Sequence, residues 1–542
     1  MSFDIIHLTD VVGWSSLTQL LAERQTNQNI VSLIILQLKE QKAVSALVEH
    51  NYVDRDFSEA YSAYYAKTFR RHSKLCKRVL VFGCDISFLN TTNDVRLAGQ
   101  QLKSSKFLGQ IVLRPISRAP LGQAILAAPP APAGYDAHLQ VSALYHAHVF
   151  GAELEVRAAP MTQQDSRIGA CAQATIWVAA RHFHARHRGP WLSTVSITQA
   201  AIANAEFVLN RVLPAGSEFL TLNNMAAALR AADREPLIYT CTNIQSPLPK
   251  PAWKPALRPK DVIARYLDSG IPVIIGLVFP GQDIGHAIIA TGQIVREQAQ
   301  EPLPQHPTIA EYNEAFVVND DQLGPNAICP VDSSCTIKQT SYSINDNAMY
   351  LMIPLPKKVF LPAETAELLS WSALDSYKTD WAAFKARHAG KLGVSEQLGD
   401  ALILDILANK VLARTYLTYG WKYKTRAISN KFSNSIRQAI RNLDVPRFVY
   451  VTEFSRISDT TAKSRYERRI IAHCVVDATA KHQDIDSVLL THAPGFIAWY
   501  AHTNGGDFIR SVAPVADSAL YYPKARGEQD FANFEATEPA TP

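Results

Sequence analysis

The sequence predicts an α+β chain. Three observations carry that reading. Apolar residues recur at helical spacing through the first 75 residues and again after residue 171. Short β-rich runs bounded by turn residues cluster between 272 and 320. A further succession of helices and then strands follows from about residue 355. At 542 residues the chain is too long for one small core. Three regions follow: 1–150, helical and then β; 151–355, a central region; and 356–542, an α+β region with a polar, frayed tail.

In chain order, "SSLTQLLAERQ", "QNIVSLIILQLKEQKAVSALVEHNY" and "FSEAYSAYYAKTFRRH" read as helices, which makes residues 1–75 mostly helical. Asp54, Arg55 and Asp56 read as a salt-bridged surface loop. Strands follow at "KRVLVFG" and "FLGQIVLRPI", and "PPAPAG" is a loop. Residues 138–160 are two strands joined at Phe150–Gly151. A helix opens near Cys171 and stops at Gly189–Pro190; His184, Arg186, His187 and Arg188 complement the negative end of its dipole. Helices are expected over "LNNMAAALRAAD" and "PKDVIARYLDSG". "PVIIGLVF", "GHAIIATGQIV" and "EAFVVNDD" suit neighbouring strands of one sheet, with 295–312 an inserted surface loop. Beyond 355, helices are expected near 363–388 and 396–417, then strands at "PRFVYVTEF", "RRIIAHCVVDATA" and "VLLTHAPGFIAWYAH". "RTYLTYGWKYKTR" interleaves basic and aromatic residues; a packed element with a basic solvent face is the better reading than an RNA-binding stripe.

Composition narrows the function. An apolar share of 47% and a charged share of 19% are those of a globular protein. A net charge of +5 over this length is too weak to require nucleic acid or membrane as partner, so neither is expected. The seven cysteines are scattered without a CxxC pair, which argues against a zinc ribbon and a disulfide scaffold and fits a reducing cytoplasm. The N-terminus lacks a signal-peptide pattern, and runs such as "IPVIIGLVF" are too short to span a bilayer. No phosphate-loop or dinucleotide motif occurs, so no cofactor and no metal are expected.

What remains is a constellation. Cys171 opens an apolar helix, His286 sits early in a strand, and Asp320 ends the next one. A thiol nucleophile needs these parts. The positive end of a helix and a nearby imidazolium stabilise thiolate, the imidazole returns the proton to the leaving group, and a carboxylate or amide holds the ring. The small pair Gly169–Ala170 lets an extended substrate approach the thiol, and Gly285 leaves room beside His286. An oxyanion would be met by the Cys171 N–H and by a side-chain amide shortly before it. Gln164 lies seven residues before the cysteine and Gln163 eight.

"QQDSRIGACAQATIW", "DSGIPVIIGLVFPGQDIGHAIIATG" and "EAFVVNDD" resemble the papain-like cysteine peptidases, and within them the bacterial branch that includes the peptidase domains of bacteriocin exporters. The likeness covers about residues 155–355, and the block around His286 is its most specific part. It implies a papain-like core, a central helix packed on an antiparallel sheet, flanked by large N- and C-terminal additions. It also implies Cys171 as nucleophile, His286 as general base, Asp320 as the residue orienting it, and Gln164 at the oxyanion. The family places its glutamine six residues before the cysteine, where this chain has Asp165, and Cys171 is followed by Ala172 and Gln173. Asn319 is the alternative to Asp320, and Gln163 to Gln164.

The expected function is therefore a cysteine peptidase that cleaves a peptide or isopeptide bond through a thioester, on a dedicated protein or peptide target. The same site would serve a transglutaminase, an acyltransferase or a deamidase. The departures around Cys171 also admit an inactive binding or scaffold protein on the same fold.

Overall fold

The computed structural model describes residues 3–92, 94–164, 171–202, 220–243, 250–279, 285–299, 302–429, 433–459, 469–481, 485–502 and 508–516. Gly169, Ala170 and Asp165, and the tail expected to be frayed, lie outside them. The chain is a mixed α+β protein built on antiparallel sheets.

The first sheet is a meander of Phe3–His7, Ser45–Tyr52, Cys76–Phe82, Phe107–Leu113 and Leu121–Leu126. Alternation along these strands feeds two separate cores. Ala46, Val48, Val79 and Val81 face the helices Val11–Ala22 and Gln28–Glu40, while Leu47, Leu80 and Phe82 face the helix Val95–Lys103 and a hairpin. That hairpin, Ala143–Val149 with Ala152–Ala158, turns at Phe150 and Gly151, both at positive φ (49° and 73°).

The second sheet carries His286 and Asp320. Its order is Gly324–Pro330, Asn313–Asp320, Gly285–Val295, Val273–Val278, Ala348–Pro356, Arg234–Thr240, with Asp136–His138 added alongside Gly285–Val295. One face (Ile274, Ile289, Met352) packs on Ile176, Val178 and Phe183 of the helix Cys171–His187. The other (Val273, Ile275, Ile288, Leu351) packs on Val262, Tyr266 and Leu267 of the helix Pro259–Asp268. Both faces are covered, which is why these strands read as continuous apolar runs.

The third sheet is a six-stranded meander from Val411–Tyr419 to Phe508–Pro514, packed on the long helix Ala363–Arg387 through Trp371, Leu374 and Tyr377.

Several expectations need correction. Residues 1–75 are not mostly helical: the chain starts in a strand, and the helix over "QNIVSLIILQLKE" ends at Glu40, before the left-handed Lys42 (φ 58°) opens the strand Ser45–Tyr52. The helix expected to 417 stops at Leu407; Asn409 (φ 54°) turns the chain, and the β-branched and aromatic run that follows is the strand Val411–Tyr419. The loop 295–312 does not stay on the surface: Ile309 and Tyr312 are buried, and the Pro307 carbonyl accepts from the Ala413 amide at 3.0 Å. "VLLTHAPGFIAWYAH" is two strands, Val488–Ala493 and Phe496–His502, turned at Gly495 (φ 74°). Asp136–His138 lies within the first sequence region yet joins the second sheet. Among the described residues, no helix is long and apolar enough to cross a membrane.

Candidate active site

Cys171 is the first residue of the helix Cys171–His187, and its side chain is half-buried. Its helix turns its other faces to the core, so the N-terminus is held rigidly against the sheet. His286 is the second residue of Gly285–Val295, paired with Leu277, and is buried. A Cβ on Gly285 would stand 3.3 Å from the Leu277 carbonyl, a tight contact that glycine avoids at the entry to this strand.

The three parts of the constellation come together. His286 Nε2 lies 2.8 Å from Asp320 Oδ1. The same oxygen accepts the Gln322 amide at 2.8 Å, and Asp320 Oδ2 accepts the Tyr342 hydroxyl. Hydrogen bonding to the Cys171 thiol raises the proton affinity of the imidazole. Nδ1 has no aligned hydrogen-bond partner among the described residues. Burial alone would pull the His286 pKa down. Hydrogen bonding to Asp320 and Cys171, with the charges of Asp320 and Asp321, overrides it and lifts the value from 6.5 to about 11. Burial pushes the Asp320 carboxyl up, but the His286 imidazolium and the Tyr342 hydroxyl bring it below the ordinary value.

Asn319 is excluded as the histidine's partner by its own bonds. Its Nδ2 donates to the Pro160 carbonyl at 2.8 Å and its Oδ1 accepts the Asn326 amide at 2.9 Å. Asn319 and Asp320 face opposite ways, as strand alternation requires. Asp321 breaks that alternation. A register irregularity between Val318 and Asp320 and the end of the strand bring its carboxylate back to the ring, 3.8 Å from His286 Nε2.

Asp321 is buried, and neither of its carboxylate oxygens has an aligned hydrogen-bond partner among the described residues. The His286 imidazolium favours the ionised form, and the backbone N–H groups of Asp321 and Gln164 add to this more weakly. Burial dominates, with repulsion from Asp320 adding to it, and the pKa rises to about 7. Asp321 therefore holds an extra proton in the folded chain between about pH 4 and pH 7, and its contribution to stability falls as pH rises through that window. Asp321→Asn, neutral at every pH, is expected to stabilise the fold at pH 8 by on the order of 3 kcal/mol and to change little at pH 4. Urea titrations at the two pH values check this; equal shifts at both would rule out the carboxylate as the cause.

The two glutamines separate as well. Gln163 is buried and committed: its amide pairs reciprocally with that of Gln25, at 3.0 Å in each direction, and its Oε1 also accepts the Leu121 amide at 3.2 Å. Gln164 lines a cavity beside the helix Cys171–His187, with Asp54, Phe57, Tyr65, Ala174 and Trp177. Gln163 lines the same cavity with its side-chain amide already paired to Gln25.

Two tyrosines carry no sequence signal. Tyr342 holds Asp320 from outside every motif. Tyr350 lies over Gly276, where a Cβ would fall 1.9 Å from its ring, and Cys171 adds to the burial that raises its pKa. The Asp54–Asp56 stretch is not a surface loop. Asp54 caps the helix Arg55–Ala63 at 2.8 Å, and Asp56 receives Arg181 at 2.6 and 2.7 Å and the Trp177 indole at 3.2 Å. At the far end of the helix Cys171–His187, Arg186 is buried and donates to the Ser142 carbonyl at 2.9 Å instead of capping into solvent.

His286, Asp320 and Asp321 present ligand atoms within 4.8 Å of one another, close enough to hold a metal ion. Both Asp320 oxygens are already occupied by hydrogen bonds, which suits an imidazolium better than a cation. His146, Glu153 and Glu155 form a second such group, an exposed surface ion pairing on the hairpin.

Comparison with protein-family models, with curated proteins and with solved structures finds no match in any of the three. The site's own chemistry must carry its reading.

Proposed function

We propose that the chain is a papain-like cysteine hydrolase that cleaves a peptide or isopeptide bond on a dedicated protein target. One observation supports this most. A half-buried thiol at a helix N-terminus meets an imidazole whose far nitrogen is held at 2.8 Å by a buried carboxylate. Cys171 attacks the carbonyl carbon as thiolate. The oxyanion is met by the Cys171 amide and the Gln164 side chain. His286 then passes its proton to the leaving amine as the C–N bond breaks, which leaves a thioester on Cys171. In the second half, His286 takes a proton from water, the hydroxide attacks the thioester, and the acid product leaves with the thiol restored. Asp320 keeps the ring in one orientation throughout, and Tyr342 keeps Asp320 in place.

The test uses an activated ester, p-nitrophenyl acetate, and mass spectrometry. An acetyl group on Cys171 that turns over in water, and that is lost with Cys171→Ala, is the expected result. Adding primary amines separates hydrolysis from acyl transfer, because a transferase would release an amide. If Cys171 acquires no acetyl group faster than a free thiol does, the enzymatic reading fails and a scaffold role replaces it.

A further inference from the structure

The first sheet does not end at Leu126. Its last strand, Leu121–Leu126, carries one more pairing, made by the segment that leads into the nucleophile. The Ala124 amide donates to the Met161 carbonyl at 2.8 Å, and the Met161 amide returns a bond to Ala124 at 2.9 Å. The Gln163 amide donates to the Leu121 carbonyl at 3.1 Å, and the Thr162 hydroxyl to the Gly122 carbonyl at 2.7 Å. The Arg114 guanidinium holds the Gln163 carbonyl at 3.0 Å. Residues 161–163 are therefore a further rung of the N-terminal sheet, and Gln164 is the next residue.

Gln25 locks this rung by its side chain. The reciprocal amide pair with Gln163 is buried on both sides, at 8% and 7% exposure. The backbone around Gln25 is strained to place it there. Arg24 (φ 84°) and Arg118 (φ 79°) both sit in the left-handed region, and the Arg118 amide donates to the Arg24 carbonyl at 2.7 Å. Two residues on, Asn27 donates to the Gln322 carbonyl, and the Gln322 amide donates to Asp320 at 2.8 Å. Gln37 holds the Pro325 carbonyl at 2.6 Å. One short turn of the N-terminal domain thus grips the chain just before Cys171 and just after Asp320.

Resting on the reading of Cys171 as a nucleophile, we propose that Gln25 is a positioning residue for the reaction: by fixing Gln163 it aims Gln164 at the oxyanion. A donor to a developing oxyanion acts only at hydrogen-bond distance from where the charge appears, and a displacement of about 1 Å can cost up to about 100-fold in rate. Gln25 touches no reacting atom; its effect passes through the Gln163 amide and peptide.

Two probes of Cys171 in the full chain separate this from a merely structural role. p-Nitrophenyl acetate reacts through a tetrahedral oxyanion, whereas iodoacetamide alkylates by displacement at a saturated carbon and forms none. Gln25→Ala is expected to lower the acetylation rate about tenfold and to leave the alkylation rate within about twofold. Gln25→Met, which keeps the volume and removes the amide, should show the same split and serves if the alanine variant folds poorly. Gln164→Ala should show it too, and the pair Gln25→Ala with Gln164→Ala should be no slower in acetylation than Gln164→Ala alone. Equal losses with both probes, no loss with either, or additive losses in the double variant would each overturn the role of Gln25. A Cys171 that reacts with neither probe faster than a free thiol in the unmodified chain overturns the hydrolase reading itself.

Discussion

Replacing His286 with alanine is expected to slow alkylation of Cys171 by iodoacetamide about 100-fold at pH 6, and hardly at all above about pH 9. Asp320 holds the imidazole at 2.8 Å, and hydrogen bonding to Asp320 and Cys171 lifts its pKa to about 11. A positive charge beside the thiol stabilises thiolate, and an ordinary thiol is ionised to only about 0.3% at pH 6. The loss on removing His286 is therefore expected to be largest at pH 6 and smallest at pH 9. The variant should follow the rising curve of an ordinary thiol. Coincident curves would remove His286 from the chemistry. The sign of the stability linkage is separate: a histidine with a raised folded pKa stabilises fully below about pH 6.5, and that contribution is lost as pH climbs through about 11.

The parts of this site differ in how far a sequence reveals them. The strands Val273–Val278 and Gly285–Val295 could be read because both faces are buried, and their apolar runs have no other soluble explanation at that length. The order Cys171, His286, Asp320 could be read because each needs a particular neighbour type on a particular element. Ser45–Tyr52 and Val411–Tyr419 were misread as helix because an apolar run flanked by a true helix has no period of its own; a single left-handed residue, Lys42 or Asn409, makes the change. Asp54 and Asp56 looked solvated because Arg181 and Trp177, which satisfy Asp56, lie far along the chain. Tyr342 and Asp321 were hidden for a related reason. The first acts through a tertiary contact, and the second reaches the histidine only because the strand register slips.

Arg414 shows the same blindness with the largest energetic consequence. It belongs to a stretch whose basic residues suggested a solvent face, yet its side chain is 0% exposed. It pairs with Asp268 at 2.8 Å, at the end of the helix beneath the second sheet, and with Glu453 at 3.4 Å, on the third sheet. Asp268 also accepts Gln293 Nε2 at 2.9 Å, from the strand that carries His286. Nearby, Arg265 of the same helix and Glu367 of the helix Ala363–Arg387 make a second buried bridge at 2.6 Å. Arg414→Ala leaves two buried carboxylates without their cation and is expected to cost about 3–5 kcal/mol. Because the lost partner ties the third sheet to the helix Pro259–Asp268, urea unfolding should split into two transitions, the C-terminal sheet melting first. A variant that unfolds in one transition at the unmodified midpoint would mean that packing of Trp371 and Tyr377 against the third sheet, and not this ion pair, holds the C-terminal region to the site.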